Sequence, residues 1–215
     1  MKNTILSLAL LVVAFVVLTA TAEAQVRAGK FGVGLNGSYY LFQSDYSKQT
    51  ASFGGGVDMS YHFLDNLSVR GAFGLGLLQA EDANPPTLST TLIYANLGLA
   101  ADLMPNSTVN PFIFVGANII NFTPRYGTGV PLPVPNQKWY GVGAVGGVGI
   151  DIFPSEFFSI TLGGEAYLPI TDYLDGRSEG STKDMYQRVY VGVKYYFFDQ
   201  SFITKMLKAL ESRYR

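Results

Sequence analysis

The chain has 215 residues, of which 48% are hydrophobic and only 14% are charged, so it resembles neither a highly charged soluble domain nor a disordered chain. Its 15 Lys and Arg balance 16 Asp and Glu to a net charge of −1, which gives no indication of a nucleic-acid partner. The sequence contains no cysteine, which excludes a disulfide scaffold, a thiolate metal site and a cysteine nucleophile.

The first 24 residues have the pattern of a secretory signal peptide. Lys2 supplies a positive charge, the stretch 5–18 is apolar apart from Ser7, and Ala22-Glu23-Ala24 places small residues at the two positions that signal peptidase recognises. A transmembrane helix is the alternative, but it needs about 20 apolar residues, and this stretch is shorter. We therefore expect cleavage after Ala24 and exclude residues 1–24 from the fold.

The rest of the chain alternates with a period of two, which is typical of β-strands. Large apolar residues share one parity in each segment, and Gly, Ala, Ser, Asn and the few charged residues share the other. The predicted strands are 29–43, 52–63, 67–79, 90–103, 110–121, 138–153, 157–170 and 188–198.

A soluble β-sandwich also alternates, but three features favour a membrane barrel. The strands exceed the usual 5–6 residues of soluble strands and fit the ~9–11 residues of a strand that crosses a bilayer. The large apolar face carries no charge, and its counterpart is small, as expected for a narrow interior. The connections alternate between long and short, as outer loops and periplasmic turns do in such barrels.

Aromatic residues gather near the predicted strand ends, which fits two belts at the membrane–water interfaces. An intrinsic preference of aromatic residues for strands is the alternative explanation. The periplasmic belt would contain Tyr61, Phe63, Phe157, Phe158, Tyr195, Phe197 and Phe198, and the outer belt Tyr39, Tyr40, Phe42, Trp139, Tyr140 and Tyr167.

Over residues 29–198 the chain resembles the small eight-stranded outer-membrane barrels, namely the transmembrane domain of outer membrane protein A and the outer membrane protein X group. The signal ending Ala22-Glu23-Ala24, the eight strands and the aromatic end Tyr195-Tyr196-Phe197-Phe198 carry this resemblance. In those families the assembly machinery is thought to recognise a final aromatic residue. Here 17 residues follow it, and no peptidoglycan-binding domain is expected.

Two motifs suggest other chemistry. Gly141-Val142-Gly143-Ala144-Val145-Gly146 matches GxGxxG but lies inside a predicted strand, where a dinucleotide site needs a strand-to-helix junction. His62 is the single histidine and shares a strand face with Ser60, which leaves a lipid A-modifying enzyme as an alternative. A polar histidine in the barrel interior is the simpler interpretation.

Seven titratable residues fall on the interior face, and a buried charge needs a partner or water. The predicted register places Ser60 opposite Arg70, with Asp58 and His62 diagonal to Arg70, and Glu165 almost opposite Lys194. Ion pairs that fill the lumen and a gated, low-conductance path are the two interpretations of this set. The set comprises Asp58, His62, Arg70, Asp102, Asp151, Glu165 and Lys194.

The connections and the tail supply the remaining expectations. The loop 122–137 contains four prolines and the loop 171–187 mixed charges, so both are candidates for binding a surface partner. In residues 199–215 the apolar residues recur at helical spacing, and Lys and Arg lie opposite the apolar face, which predicts a basic amphipathic helix. That helix would lie on the inner leaflet, plug the periplasmic mouth or dock a partner.

The sequence thus predicts an all-β protein: an eight-stranded antiparallel transmembrane up-and-down β-barrel at 25–198, with a short C-terminal amphipathic helix. We expect it in the outer membrane of a diderm bacterium, inserted by the assembly machinery among outer-membrane lipids, without cofactor or metal. A non-enzymatic structural and surface-interaction role is the leading hypothesis. A narrow porin and a lipid A-modifying enzyme are the alternatives.

Overall fold

A computed structural model of the chain describes residues 27–43, 48–49, 52–81, 88–126, 139–170, 174, 185–197 and 204. The predicted signal peptide at 1–24 lies outside the described residues, and so does the predicted tail helix at 199–215 apart from Thr204. Thr204 is helical and exposed. No helix in the described part of the chain is long and apolar enough to cross a membrane.

The described residues form one antiparallel sheet that closes on itself. β1 pairs with both β3 and β9, and β4 pairs with β5, so eight strands form a barrel, while the two-residue β2 pairs only with the end of β4. The strands are β1 (Phe31–Gln43), β2 (Lys48–Gln49), β3 (Ser52–Leu64), β4 (Leu67–Glu81), β5 (Leu88–Asp102), β6 (Val109–Tyr126), β7 (Tyr140–Ser155), β8 (Phe158–Pro169) and β9 (Met185–Phe197). All eight predicted strands are confirmed.

The register of the pairs gives the stagger of the barrel. A path through directly paired residues starts at Phe31 and returns to β1 at Leu41, ten residues further along the strand. Such a stagger requires strands tilted by about 40° and leaves an interior that side chains can just fill. The path runs through Phe31, Tyr61, Val69, Leu99, Val115, Gly146, Ala166, Gln187 and Leu41.

The predicted faces of the strands are confirmed. In β1, Phe31, Leu35 and Tyr39 are exposed on the outside, while Gly34 and Asn36 are buried inside. The same alternation runs through the other strands, so apolar side chains surround the barrel, and small residues, polar residues and buried rings line it. This is the arrangement of a barrel whose outer surface contacts lipid tails.

The two ends of the barrel differ. Short turns at 65–66 and 156–157 and the turn 103–108 lie at the same end as Arg27, which we call the turn end. The opposite end, the loop end, carries the connections 44–51, 82–87, 127–139 and 170–184. Short turns face the periplasm in outer-membrane barrels, so we expect the turn end to be the periplasmic one.

The outward face changes character towards the loop end. In β4 it is apolar from Leu67 to Leu77, and in β5 from Ile93 to Ala101, which matches the ~9–11 residues of a membrane-crossing strand. Beyond these residues the outward side chains are polar, so the strands continue past the lipid. The polar outward residues at this end include Gln79, Thr91, Asn121, Thr123, Arg125 and Gln187.

Inward aromatic residues lie over glycines of the neighbouring strand. A Cβ atom built on Gly163 would lie 2.6 Å from the ring of its pair partner Tyr190, and one on Gly74 would lie 2.6 Å from the hydroxyl of its partner Tyr94. The glycine-rich face therefore makes room for large rings. The GxGxxG match at 141–146 lies wholly within β7, so the junction that a dinucleotide site requires is not formed there.

Three details of the prediction are wrong. Tyr40, Phe42 and Tyr167, predicted for the outer belt, are fully buried inside the barrel, because their parity points them inward. The predicted loop 122–137 begins only at residue 127, since β6 continues to Tyr126 along β5. The connection 82–87 is as short as the turn 103–108, because β4 and β5 extend past the lipid.

Candidate functional site

All seven predicted interior residues are buried and line the lumen, together with Arg188. Their contacts divide them into two groups. The lower cluster, nearer the turn end, consists of His62, Arg70, Asp102, Asp151 and Lys194, and the upper cluster, nearer the loop end, consists of Asp58, Glu165 and Arg188.

Arg70 is the centre of the lower cluster. Its Nη2 donates to Asp102 Oδ1 at 2.9 Å and to Asp151 Oδ2 at 2.8 Å. Asn110 Nδ2 donates to Asp102 Oδ1 and Thr161 Oγ1 to Asp151 Oδ1, each at 2.6 Å. The two carboxylates thus receive the hydrogen bonds that make the burial of such charges tolerable.

Two further contacts stabilise the charges of the lower cluster. Lys194 Nζ lies 3.6 Å from Asp151 Oδ1, so two cations face two carboxylates. The Arg70 guanidinium lies 3.8 Å from the centre of the Phe112 ring, a cation–π contact on a desolvated face. The predicted pairing of Ser60 with Arg70 across β3 and β4 is confirmed.

His62 lies at the bottom of the lower cluster and is 1% exposed. Its Nε2 lies 3.5 Å from Asp102 Oδ2, and its ring centre lies 5.9 Å from that of Tyr196. Neither ring nitrogen has a hydrogen-bond partner within the described part of the chain, and the Ser60 hydroxyl has none there either. His62 and Ser60 therefore do not form the hydrogen-bonded pair of an activated nucleophile.

Arg188 holds the upper cluster together. Its Nη1 donates to the Tyr94 hydroxyl, its Nε lies 3.3 Å from Glu165 Oε2, and its Nη2 lies 3.9 Å from Asp58 Oδ1. The Tyr167 hydroxyl donates to Glu165. One cation is thus shared between two carboxylates and the Tyr94 hydroxyl, and the Tyr167 hydroxyl binds one of those carboxylates.

The predicted pairing of Glu165 with Lys194 is wrong. Glu165 lies directly opposite Arg188, and Lys194 lies opposite Ser159. The prediction assumed a connection centred near residue 179, but the connection 170–184 is centred nearer residue 177, which shifts every partner along β9. A shift of a few residues exchanges all cross-strand neighbours.

A cavity of about 20 Å³ separates the two clusters. Arg70 and Lys194 line it from the lower cluster, and Asp58 and Glu165 from the upper one. Asp58 Oδ2 and Arg70 Nη1 have no hydrogen-bond partner among the described residues. The cavity has room for one water molecule, which such polar atoms can bind.

Tyrosines and then apolar residues fill the lumen above the upper cluster. The rings of Tyr167 and Tyr186 stack with centres 4.4 Å apart. Leu174 from the connection 170–184 reaches into the mouth, where its carbonyl oxygen accepts a hydrogen bond from Thr90 Oγ1 at 2.8 Å. The fully buried apolar residues of this end, which we call the apolar layer, are Phe42, Leu78, Ala80, Leu88, Leu92, Ile120, Phe122 and Leu174.

Three buried cations, Arg27, Lys30 and Arg188, escaped the sequence prediction. Arg188 has the inward parity of Lys194, but it is the first residue of the predicted strand 188–198, and the predicted set takes only Lys194 from that strand. Arg27 precedes β1 and had no strand pattern to place it. The strand parity is the signal that places Arg188 inside, and it places Lys30 in the same way, since Lys30 has the parity of Gly34. The described residues contain no group of three or more His, Cys, Asp or Glu side chains that could hold a metal ion.

A closed eight-stranded barrel with an apolar outer band and a polar interior defines the class of small outer-membrane β-barrels. The chain belongs to the outer membrane protein β-barrel domain family, whose model matches residues 8–197. It is therefore an integral protein of the bacterial outer membrane. No curated protein matches the sequence.

Solved structures share this fold at low sequence identity. The attachment invasion locus protein Ail of Yersinia pestis has a TM-score of 0.56 and 15% identity over 79% of this chain and 99% of its own, and it has also been solved with the heparin analogue sucrose octasulfate. OprG of Pseudomonas aeruginosa has a TM-score of 0.53 and 15% identity over 82% and 100%. Neisserial surface protein A has a TM-score of 0.54 and 14% identity over 79% and 99%.

Proposed function

We propose that the protein is a sealed, non-enzymatic outer-membrane barrel that acts at the cell surface through its loop end, with the ion-paired lumen as a structural plug. The observation that carries this proposal is the filling of the lumen. Ion pairs occupy its lower part and tyrosines its middle, and the apolar layer occupies the loop end. An eight-stranded barrel has little interior to spare.

The apolar layer argues against a porin. An ion that passes Leu92, Phe122 and Leu174 has to leave its hydration shell without a compensating polar partner, which carries a large free-energy cost. The lower cluster adds to this, because its cations and carboxylates are already engaged with one another. The water-sized cavity between the clusters is too small for a hydrated solute.

The position of His62 argues against lipid A modification. The histidine is buried inside the barrel near the turn end, whereas lipid A lies in the leaflet at the opposite end. If the enzyme alternative held, His62→Ala would abolish an activity on lipid A. We expect wild-type protein and this variant to show equally little activity in the same lipid A assay.

The loop end is where an external partner would meet the protein. β4, β5 and β6 extend past the lipid with polar outward side chains, and the connections 127–139 and 170–184 start from there. The complex of Ail with a sulfated ligand is compatible with a binding role for this fold. Contacts through the connections 127–139 and 170–184, and insertion by the assembly machinery, are part of the same proposal.

Conductance of the purified protein in planar lipid bilayers tests the sealed lumen. We expect no steady ohmic steps, because an ion would have to lose its hydration shell to pass the buried side chains of the apolar layer. Circular dichroism in detergent and a heat-dependent shift in gel mobility show that the sample is folded. Steady openings from folded protein would overturn the plug and support the porin.

A further inference from the structure

Residues 27–30, which we call the strap, continue the β1–β3 ladder and then turn across the turn end. Gly29 N donates to the His62 carbonyl at 2.6 Å, and His62 N donates to the Lys30 carbonyl at 3.0 Å. Lys30 N donates to the Arg27 carbonyl at 3.0 Å, and Gly29 has a φ of 85°, a conformation that favours glycine. This turn directs Arg27 over the mouth of the barrel.

Arg27 fills the mouth. Its side chain is almost fully buried, and its guanidinium lies 3.9 Å from the centre of the Phe153 ring inside β7. Its Nη2 donates to the Ser107 carbonyl at 2.6 Å. A cation in this position is desolvated and held on an aromatic face, which makes its placement specific.

The strap bonds to all three turns of this end. Asp65 Oδ1, in the turn 65–66, accepts from both Arg27 N and Ala28 N at 3.0 Å. Arg27 reaches Ser107 in the turn 103–108, and Lys30 Nζ donates to the Glu156 carbonyl in the turn 156–157 at 3.1 Å. Hydrogen bonds to a carboxylate are stronger than those between neutral groups, so Asp65 holds the strap backbone in addition to the two ladder bonds with His62.

We propose that the strap is a latch that closes the periplasmic mouth, and that its release opens the lower cluster to water while the apolar layer keeps the barrel closed to ions. His62 and Ser60 lie behind the strap, and both carry buried polar atoms that lack a hydrogen-bond partner among the described residues. Water that enters past a released strap would satisfy these atoms. The latch thereby provides a second, switchable barrier at the end opposite the apolar layer.

Thiol accessibility tests the latch. The chain has no cysteine, so Ser60→Cys introduces a single thiol that is buried behind the strap. A small charged methanethiosulfonate, added to folded protein in detergent micelles, measures access to this position. Asp65→Ala removes the acceptor of two backbone N–H groups, Arg27→Ala removes the side chain that fills the mouth, and Asn66→Ala is the matched control at the adjacent exposed position.

We expect slow modification of Ser60→Cys in the otherwise unchanged protein and with Asn66→Ala, and modification about tenfold faster or more with Asp65→Ala or Arg27→Ala. Fast modification with the strap intact, or no acceleration by either variant, would overturn the latch. If Asp65→Ala fails to fold, Arg27→Ala decides the question, since it leaves the Asp65 contacts in place. Conductance of the same samples reports on the plug alone, so a failure of one proposal is distinguishable from a failure of the other.

Discussion

Arg70 shows how a single residue organises the interior. Its guanidinium lies between Asp102 on β5 and Asp151 on β7 and also packs on Phe112 of β6, so it links three strands besides its own. Removing one member of a buried ion pair leaves an uncompensated charge, which costs more than the pair itself contributes. Here two carboxylates would lose their principal cation at once.

We therefore expect Arg70→Leu to lower the free energy of unfolding by about 3–5 kcal/mol. Urea titration of the protein in phospholipid vesicles, followed by the fluorescence of the single tryptophan, Trp139, measures the change. Arg125→Leu is the control, because Arg125 is an exposed arginine on the outside of β6, and its change should stay within about 0.5 kcal/mol. Equal effects of the two substitutions would show that the lower cluster does not stabilise the barrel.

At the scale of the strand, the side-chain pattern reverses along the barrel axis. On β4, apolar residues point outward from Leu67 to Leu77 and small or polar ones point inward, whereas beyond Leu77 Gln79 points outward and Leu78 inward. The backbone alternation is unchanged, so the reversal lies entirely in the choice of residues. The surrounding solvent explains it, because the strand passes from lipid into water while the interior passes from ion pairs to an apolar layer.

This reversal predicts that a charge introduced on the outward face of a strand destabilises the barrel by an amount that depends on its position along the strand. Leu97 and Thr91 both point outward from β5, but Leu97 lies within the apolar band and is 63% exposed to lipid, whereas Thr91 lies beyond it. Leu97→Arg should lower the free energy of unfolding by about 2–4 kcal/mol, and Thr91→Arg by about 0–1 kcal/mol. The same vesicle titration measures both, and equal costs would place the lipid boundary elsewhere.

At the scale of the whole molecule, three barriers follow one another along the lumen: the strap, the two charged clusters and the apolar layer. Leu174 belongs to the last of these and ties the connection 170–184 to the interior through the Thr90 hydroxyl. A partner that binds the loop end therefore meets a connection that is anchored to the barrel at Leu174.

Truncating Leu174 should release this anchor. We expect Leu174→Gly to accelerate tryptic cleavage after Arg177 and Lys183 by about tenfold or more, since loss of a buried leucine typically costs over ~2 kcal/mol. Mass spectrometry of protein in vesicles with the loop end facing the bath identifies the fragments. Ile170→Gly is the control, because Ile170 is 75% exposed, and similar cleavage of both variants would argue against anchoring.

The strand pattern of the sequence was enough to determine the barrel, its membrane location and which side of each strand faces lipid. The alternation of side chains along a strand is a local property that the sequence shows directly. In lipid, the unpaired backbone groups of an open sheet edge are costly, so the sheet has to close. The residues at 58, 62, 70, 102, 151, 165 and 194 were placed inside for the same reason, and all of them lie there.

The partners of these charges were decided only by the tertiary structure. Arg70 and Asp151 lie 81 positions apart on strands that are not neighbours, and they meet because the ten-residue stagger of the tilted strands brings their side chains to the same level in a narrow lumen. Pairing by local register, which predicted Glu165 with Lys194, cannot include such contacts across the lumen. A related reason explains why the sequence did not predict the position of Arg27 and the strap. That position depends on three turns that are far apart in the chain and adjacent only in the closed barrel.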